Sequence, residues 1–136
     1  VNLLTMQALK NREITVFGGE QKRPNINIRD MVRVYQHFIE NPRLPSGFYN
    51  AGFENLRIID IASFIANRLD AKITTSSSND PRSYNQCSDK LLESGFTPKY
   101  NVEMAVEEMI EKYQAGELVD HPNWHTVSKM RDLGIK

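Results

Sequence analysis

Two arginines stand where phosphate chemistry could be done. Arg23 lies in Gln21-Lys22-Arg23-Pro24, directly after an apolar run and the pair Gly18-Gly19. Arg82 lies in Asp80-Pro81-Arg82-Ser83-Tyr84, after the polar stretch Ser76-Ser77-Ser78-Asn79. Both loops connect apolar segments, the usual location of binding groups. A guanidinium presents a planar fork of N–H donors that matches a phosphate through paired, charge-assisted contacts. Asp80 can orient Arg82, and Tyr84 adds a hydroxyl and a ring edge. Two solvated surface arginines are the alternative, and spacing alone does not separate the two readings.

Complete catalytic sets are missing from the sequence. It has no Gly-x-Gly-x-x-Gly after a strand, no P-loop and no nucleophile elbow. His121 and His125 are four apart, a spacing that puts two metal ligands on one helix face, but Pro122 breaks such a helix and no third ligand clusters nearby. Cys87 has no adjoining basic residue, so it reads as a small buried or half-buried side chain rather than a nucleophile. Trp124 with Pro122 reads as an anchor for the C-terminal tail.

The elements that must position these residues alternate in type. An apolar pattern over 2–11 predicts a helix, and Ile14 to Phe17 a strand ended by Gly18-Gly19. Asn25 to Ile28 alternates as a short strand, and Asp30 is placed to cap a helix running to about 41. Gly47 to Gly52 reads as a strand leaving into a turn. Residues 58–69 form the clearest amphipathic helix, and 71–75 are β-prone. Ser88 is placed to cap a short helix closed by Gly95, and Asn101 a long one ended by Gly116. A tail follows, with a short helix after Thr126. This order predicts a mixed α/β fold of four main helices with an incomplete sheet, its strands too sparse for a doubly wound one.

Composition narrows the function classes. The 136 residues include 17 basic and 17 acidic side chains, 40% are hydrophobic and 25% charged. That is one globular domain with room for a core. Neutral net charge argues against nucleic acid and against an anionic membrane as partners. No apolar run reaches the ~20 residues of a membrane span. A single cysteine forms no internal disulfide.

Taken in series, the segments resemble a known family. ITVFGGEQKRPNINIRDM (14–31), GFYNAGF (47–53), NDPRSY (79–84) and SDKLLESGFTPKYNVEMAV (88–106) are similar, in order and spacing, to the C-terminal lobe of extended short-chain dehydrogenase/reductases. These are NAD-dependent nucleotide-sugar epimerases and dehydratases. The resemblance covers about 2–118 and implies that 1–118 is a nucleotide-sugar-binding lobe and 119–136 a tail. It implies that Phe17, with the backbone of Thr15 and Val16, lines a base pocket. Arg23 would meet the diphosphate from one side, Arg82 and Tyr84 from the other, with Asp80 near the ribose or its supporting loop.

In this family a separate Rossmann lobe binds NAD and carries Tyr-x-x-x-Lys, and neither that motif nor the glycine fingerprint occurs in these 136 residues. The resemblance therefore implies an excised lobe, which suits a chain that opens Val-Asn-Leu-Leu just before a helical pattern. It implies no catalytic residue and no metal here, and NAD held by the other lobe. It implies a cytoplasmic, homodimeric full-length isomerase or lyase serving polysaccharide biosynthesis. Base, sugar and the choice of epimerase or dehydratase stay open. Asn27 stands where the family commonly has His or Tyr, Cys87 where Asp is frequent, and Arg57 where Ser is usual. A stand-alone binding or interaction module is the alternative, supported by the absence of catalytic residues.

Overall fold

The computed structural model describes residues 1–78, 82–121 and 125–134. Helix α1 (Asn2–Asn11) is closed by Arg12 in the left-handed region, φ 54°. Strand β1 (Glu13–Phe17) follows at once and pairs in parallel with β4 (Lys72–Ser76), from Glu13↔Lys72 to Phe17↔Ser76. Between them come β2 (Lys22–Asn25), α2 (Ile28–Glu40), β3 (Glu54–Arg57) and α3 (Ile58–Leu69). Strands β2 and β3 form a separate antiparallel pair, from Lys22↔Arg57 to Asn25↔Glu54. The short α4 (Asp89–Glu93), then α5 (Val102–Gln114) and α6 (Thr126–Asp132), complete the order. The fold is mixed α/β, with two two-stranded sheets among the described residues.

Spacing explains the main core. Ile14 and Val16 alternate inward from β1, as a half-buried strand requires. α3 turns Ile61, Ala62, Ile65, Ala66 and Leu69 to the same side. Leu4 and Ala8 of α1 and Val102, Val106 and Ile110 of α5 close over them. Ile14 and Ile65 are fully buried, each a contribution of about 1.5–3 kcal/mol. A second, smaller cluster of Val34, Leu91 and Phe96 lies under α2 and α4, with Phe38, Tyr49 and Phe53 against it.

Two local expectations are corrected. The strand expected over 25–28 lies at Lys22–Asn25, because β2 takes its register from β3 and not from its own alternation. α2 begins earlier than expected, with Asn27 as its N-cap accepting from the Arg29 amide at 2.9 Å. Asp30 is instead fully buried inside the first turn, where it pairs with Arg33 and accepts from the amides of Lys99 at 2.9 Å and Tyr100 at 2.8 Å. The segment 47–52, which the resemblance implies is a strand left without a partner in this chain, indeed has no ladder among the described residues; pairing resumes only at β3, and Phe48 is 98% exposed.

α2 buries less of its apolar surface than its pattern suggests. Ile28, Val32, Tyr35 and Ile39 recur at 4-3-4 spacing along one side, and all four are exposed. Among the described residues no helix is long and apolar enough to cross a membrane.

Candidate functional site

The two arginine loops meet. β2 holds its partner β3 on one side and the segment 82–84 beside it. The Tyr84 amide donates to the Lys22 carbonyl at 3.0 Å, and the Lys22 amide donates to Ser83 Oγ at 2.9 Å. Arg23 Nη1 donates to the Arg82 carbonyl at 2.7 Å and to the Lys22 carbonyl at 2.9 Å. The Arg23 guanidinium also lies over the Tyr84 ring, 5.1 Å from its centroid, in cation–π range. Arg23 thus belongs to one clasp with Arg82, 59 residues away in sequence, and Tyr84. Of the seven residues singled out from the sequence, Asp80 lies outside the described residues.

The clasp is stitched further along by main-chain contacts. Asn55 pairs reciprocally with Gln86: its Oδ1 accepts from the Gln86 amide at 2.8 Å and its Nδ2 donates to the Gln86 carbonyl at 3.0 Å. Ser88 occupies the N-cap position of α4, but its hydroxyl bridges the Gly52 amide and carbonyl, both at 3.0 Å. A Cβ on Gly52 would stand 2.9 Å from Gln86 Oε1 and 3.1 Å from Pro24 Cβ, so a side chain there would push the Gln86 carboxamide aside and press on Pro24. These bonds fix how 82–88 sits on the body without an assigned strand.

Thr15, Val16 and Phe17 form the C-terminal half of β1, which leads through Gly18-Gly19 toward β2. Val16 is buried in the core as a whole residue, 1% exposed, with its backbone in the β1–β4 ladder. The Thr15 amide donates to Gln7 Oε1 at 3.2 Å. Phe17, at the strand's C-terminal end, is 60% exposed, as a ring platform needs to be. Gln21, which the sequence reading did not single out, ties this corner together: its Nε2 donates to the Phe17 carbonyl at 2.7 Å and its Oε1 accepts from the Gly19 amide at 2.6 Å. Its place two residues after Gly19 was the available signal. Ser83 and Asn55 gave none, because their partners are distant in sequence.

Neighbouring charges are mostly paired with each other. Arg57 grips Asp60 through Nε at 2.8 Å and Nη2 at 2.5 Å, and reaches Glu20 at 2.9 Å. The pairing raises the Arg57 guanidinium further and holds the Asp60 carboxyl below its ordinary range. Glu54 accepts from the Val102 amide at 2.6 Å at the start of α5, and burial pushes its carboxyl up. Cys87 is exposed, contrary to the buried or half-buried side chain expected from its sequence context; its carbonyl accepts from Asn50 Nδ2 at 3.0 Å. His125 pairs with Asp120 at 2.7 Å, and Asp120 also pairs with Lys10, which moors the tail to α1. The anchor expected of Trp124 and Pro122 lies outside the described residues. Among the described residues no group of His, Cys, Asp and Glu has the placement of a metal site.

No family model matches the chain. No curated protein matches it either. Solved structures do. The chain is similar to an ADP-L-glycero-D-manno-heptose-6-epimerase of Helicobacter pylori, at 23% identity and a TM-score of 0.68 over 83% of this chain and 37% of that one. It is similar to an NAD-dependent NDP-hexosamine 5,6-dehydratase of tunicamycin biosynthesis, at 22% identity and a TM-score of 0.67 over 83% of this chain and 39% of that one. It is similar to a dTDP-glucose 4,6-dehydratase of Bacillus anthracis solved with NAD, at 21% identity and a TM-score of 0.67 over 85% of this chain and 38% of that one. The chain spans less than two fifths of the length of these enzymes and shares the fold of that part of them. The likeness of fold expected from the sequence is therefore present.

Proposed function

We propose that residues 1–118 are the substrate-binding lobe of an NAD-dependent nucleotide-sugar epimerase or dehydratase, and that 119–136 are a tail moored on it. The observation that carries this reading is the clasp of Arg23 with Arg82 and Tyr84, inside a fold shared with three enzymes of that kind. Arg23, Arg82 and Tyr84 would hold the diphosphate, and Phe17 with the backbone of Thr15 and Val16 the base. Asp80 would lie near the ribose or its supporting loop. Each charge-assisted contact to phosphate contributes on the order of 1.5–3 kcal/mol.

These residues do not fit NAD itself. A dinucleotide cradle needs a glycine loop that opens a helix, so that the helix N-terminus meets the pyrophosphate. Here Gly18-Gly19 leads from β1 into β2, a strand. NAD and the hydride step therefore belong to another lobe in this reading, and the chain supplies binding and positioning. That lobe would seat on the exposed α2 side formed by Ile28, Val32, Tyr35 and Ile39, in a cytoplasmic homodimer. The chain alone then turns over no nucleotide sugar. The test is a titration of the isotopically labelled chain with nucleoside diphosphates. Shifts at the amides of Lys22, Arg23, Ser83 and Tyr84 support the reading; binding that leaves those amides untouched, or turnover by the chain alone, refutes it.

A further inference from the structure

The segment 82–88 lies beside β2, runs in the same direction, and is tied down at every second residue. Tyr84 is held on Lys22 of β2, Gln86 on Asn55 of β3, and Ser88 on Gly52. The period is that of a strand, yet only the first of these ties is a backbone ladder bond. The interruption has a cause in β2. There the carbonyls of Gln21 and Asn25 accept from the amides of Ile58 and Phe53 on the β3 side, whereas the Lys22 amide and carbonyl both face 82–84. By the same alternation residue 24 turns its nitrogen toward the segment, where a parallel ladder sends an N–H to the Tyr84 carbonyl. That residue is Pro24, which has no proton to give.

Asn55 stands directly across from Pro24 in the β2–β3 register. Its half-buried carboxamide carries a donor and an acceptor, as a peptide group does, and spends both on the Gln86 backbone at 3.0 and 2.8 Å. We infer that Asn55 is a positioning residue for the proposed diphosphate site: its side chain takes the place of the ladder pair that Pro24 cannot make, and so sets the register of the segment that carries Arg82 and Tyr84. This inference rests on the nucleotide-sugar reading and adds a residue that acts through the segment and not on the ligand. The contacts of Arg23 with the Arg82 carbonyl and the Tyr84 ring depend on that register, because a slip by one residue turns alternate side chains to the opposite face. Without the tie the segment is correctly placed in only a fraction of molecules, and apparent affinity falls by that fraction.

The experiment is a calorimetric titration of the parent chain, Asn55→Ala, Pro24→Ala and the double variant with ADP, GDP, UDP and dTDP, the tightest of the four serving as probe. Asn55→Ala should weaken the probe about 5- to 10-fold, as the loss of one to two hydrogen bonds predicts. Amide exchange should accelerate at 84 and 86 and stay unchanged at Ile65 in the main core. Pro24→Ala restores the missing N–H, so on that background Asn55→Ala should weaken the probe less than about 2-fold. A side chain that merely stabilises the chain gives the same loss on both backgrounds. Asn55→Asp keeps the shape and the acceptor for the Gln86 amide but sets a carboxylate against the Gln86 carbonyl. Read on both backgrounds, it decides the matter if the alanine variant fails to fold, with an expected loss of about 5-fold or more beside Pro24. Equal losses on the two backgrounds, or a change below about 2-fold beside Pro24, overturn this inference alone. Binding of none of the four nucleotides by any form overturns the nucleotide reading with it.

Discussion

The two sides of α2 illustrate how differently one helix can be used. Its inner side contributes Val34 and the partly buried Phe38 to the small cluster, and Asp30 to a buried polar tie. Its outer side leaves Ile28 at 72%, Tyr35 at 67% and Ile39 at 78% exposure. α3 shows no such division of apolar surface: its Ile61, Ile65 and Leu69 are buried in the main core. An apolar row left in water marks a contact surface more often than an accident, because single exposed residues are common but contiguous rows are not. The main core is closed by elements of this chain, whereas α2 leaves one apolar side uncovered by the described residues.

The largest effect should come from the side that is complete. Ile65→Ala removes a fully buried side chain between α1, β1 and α5 and should cost about 2–5 kcal/mol in a denaturant titration. Leu91→Ala in the small cluster should lie at the low end of that range, since its neighbours Phe38, Tyr49 and Phe53 are only partly buried and can close the gap. Equal costs at the two sites would remove the distinction between the cores.

Asp30→Ala comes next. It strands the amides of Lys99 and Tyr100 and leaves Arg33 without its carboxylate. The expected loss is about 2–3 kcal/mol, and amide exchange at 99 and 100 should accelerate with it. A loss below about 0.5 kcal/mol would mean that the tie between α2 and the α4–α5 connection is not structural.

How much of this was legible follows from where the information lies. α3 was readable to its ends because its apolar spacing and its core agree. Asn101 was readable as a cap because its side chain bonds the Met104 amide three residues on, at 2.8 Å. Asp30 was misread as a cap because its partners lie about 70 residues away, where no local pattern points. β2 contains Pro24 and two basic residues, poor strand formers, and exists through its pairing with β3. The apolar alternation at 47–52 suggested a strand, but no neighbour among the described residues completes one. The arginines of the clasp were found from residue type and loop position, whereas Gln21 was passed over because its partners are backbone atoms.

A pH profile offers a subtler test at the junction of β3 and α5. Burial holds the Glu54 carboxyl above its ordinary range, partly opposed by the Val102 amide. The folded chain thus keeps this proton to higher pH than the unfolded chain. Stability from this group is present below the ordinary glutamate range and is lost as pH rises through the elevated folded value. Asp60 and Asp120 act in the opposite sense, because their carboxyls are held low by Arg57 and by Lys10 with His125. Glu54→Gln keeps the acceptor for Val102 and removes the titration. The difference in stability between the two forms should therefore grow in favour of glutamine as pH rises and then level off. A flat difference would show that Glu54 is as well solvated folded as unfolded.

The smallest change in stability should come from the outer side of α2. Tyr35→Ser with Ile39→Ser removes two exposed side chains that the body of the chain does not cover. Unfolding free energy should move by no more than about 0.5 kcal/mol, the range for surface substitutions away from structural features. Serine lowers helix propensity slightly relative to isoleucine or tyrosine or leaves it unchanged, so propensity contributes little. Self-association is the readout that should respond. If the row is a contact surface, the parent chain associates through it at high concentration and the double variant sediments as a monomer under the same conditions. A loss of more than about 1 kcal/mol in the monomer would place the row in the chain's own core, and the two sides of α2 would then no longer differ in kind.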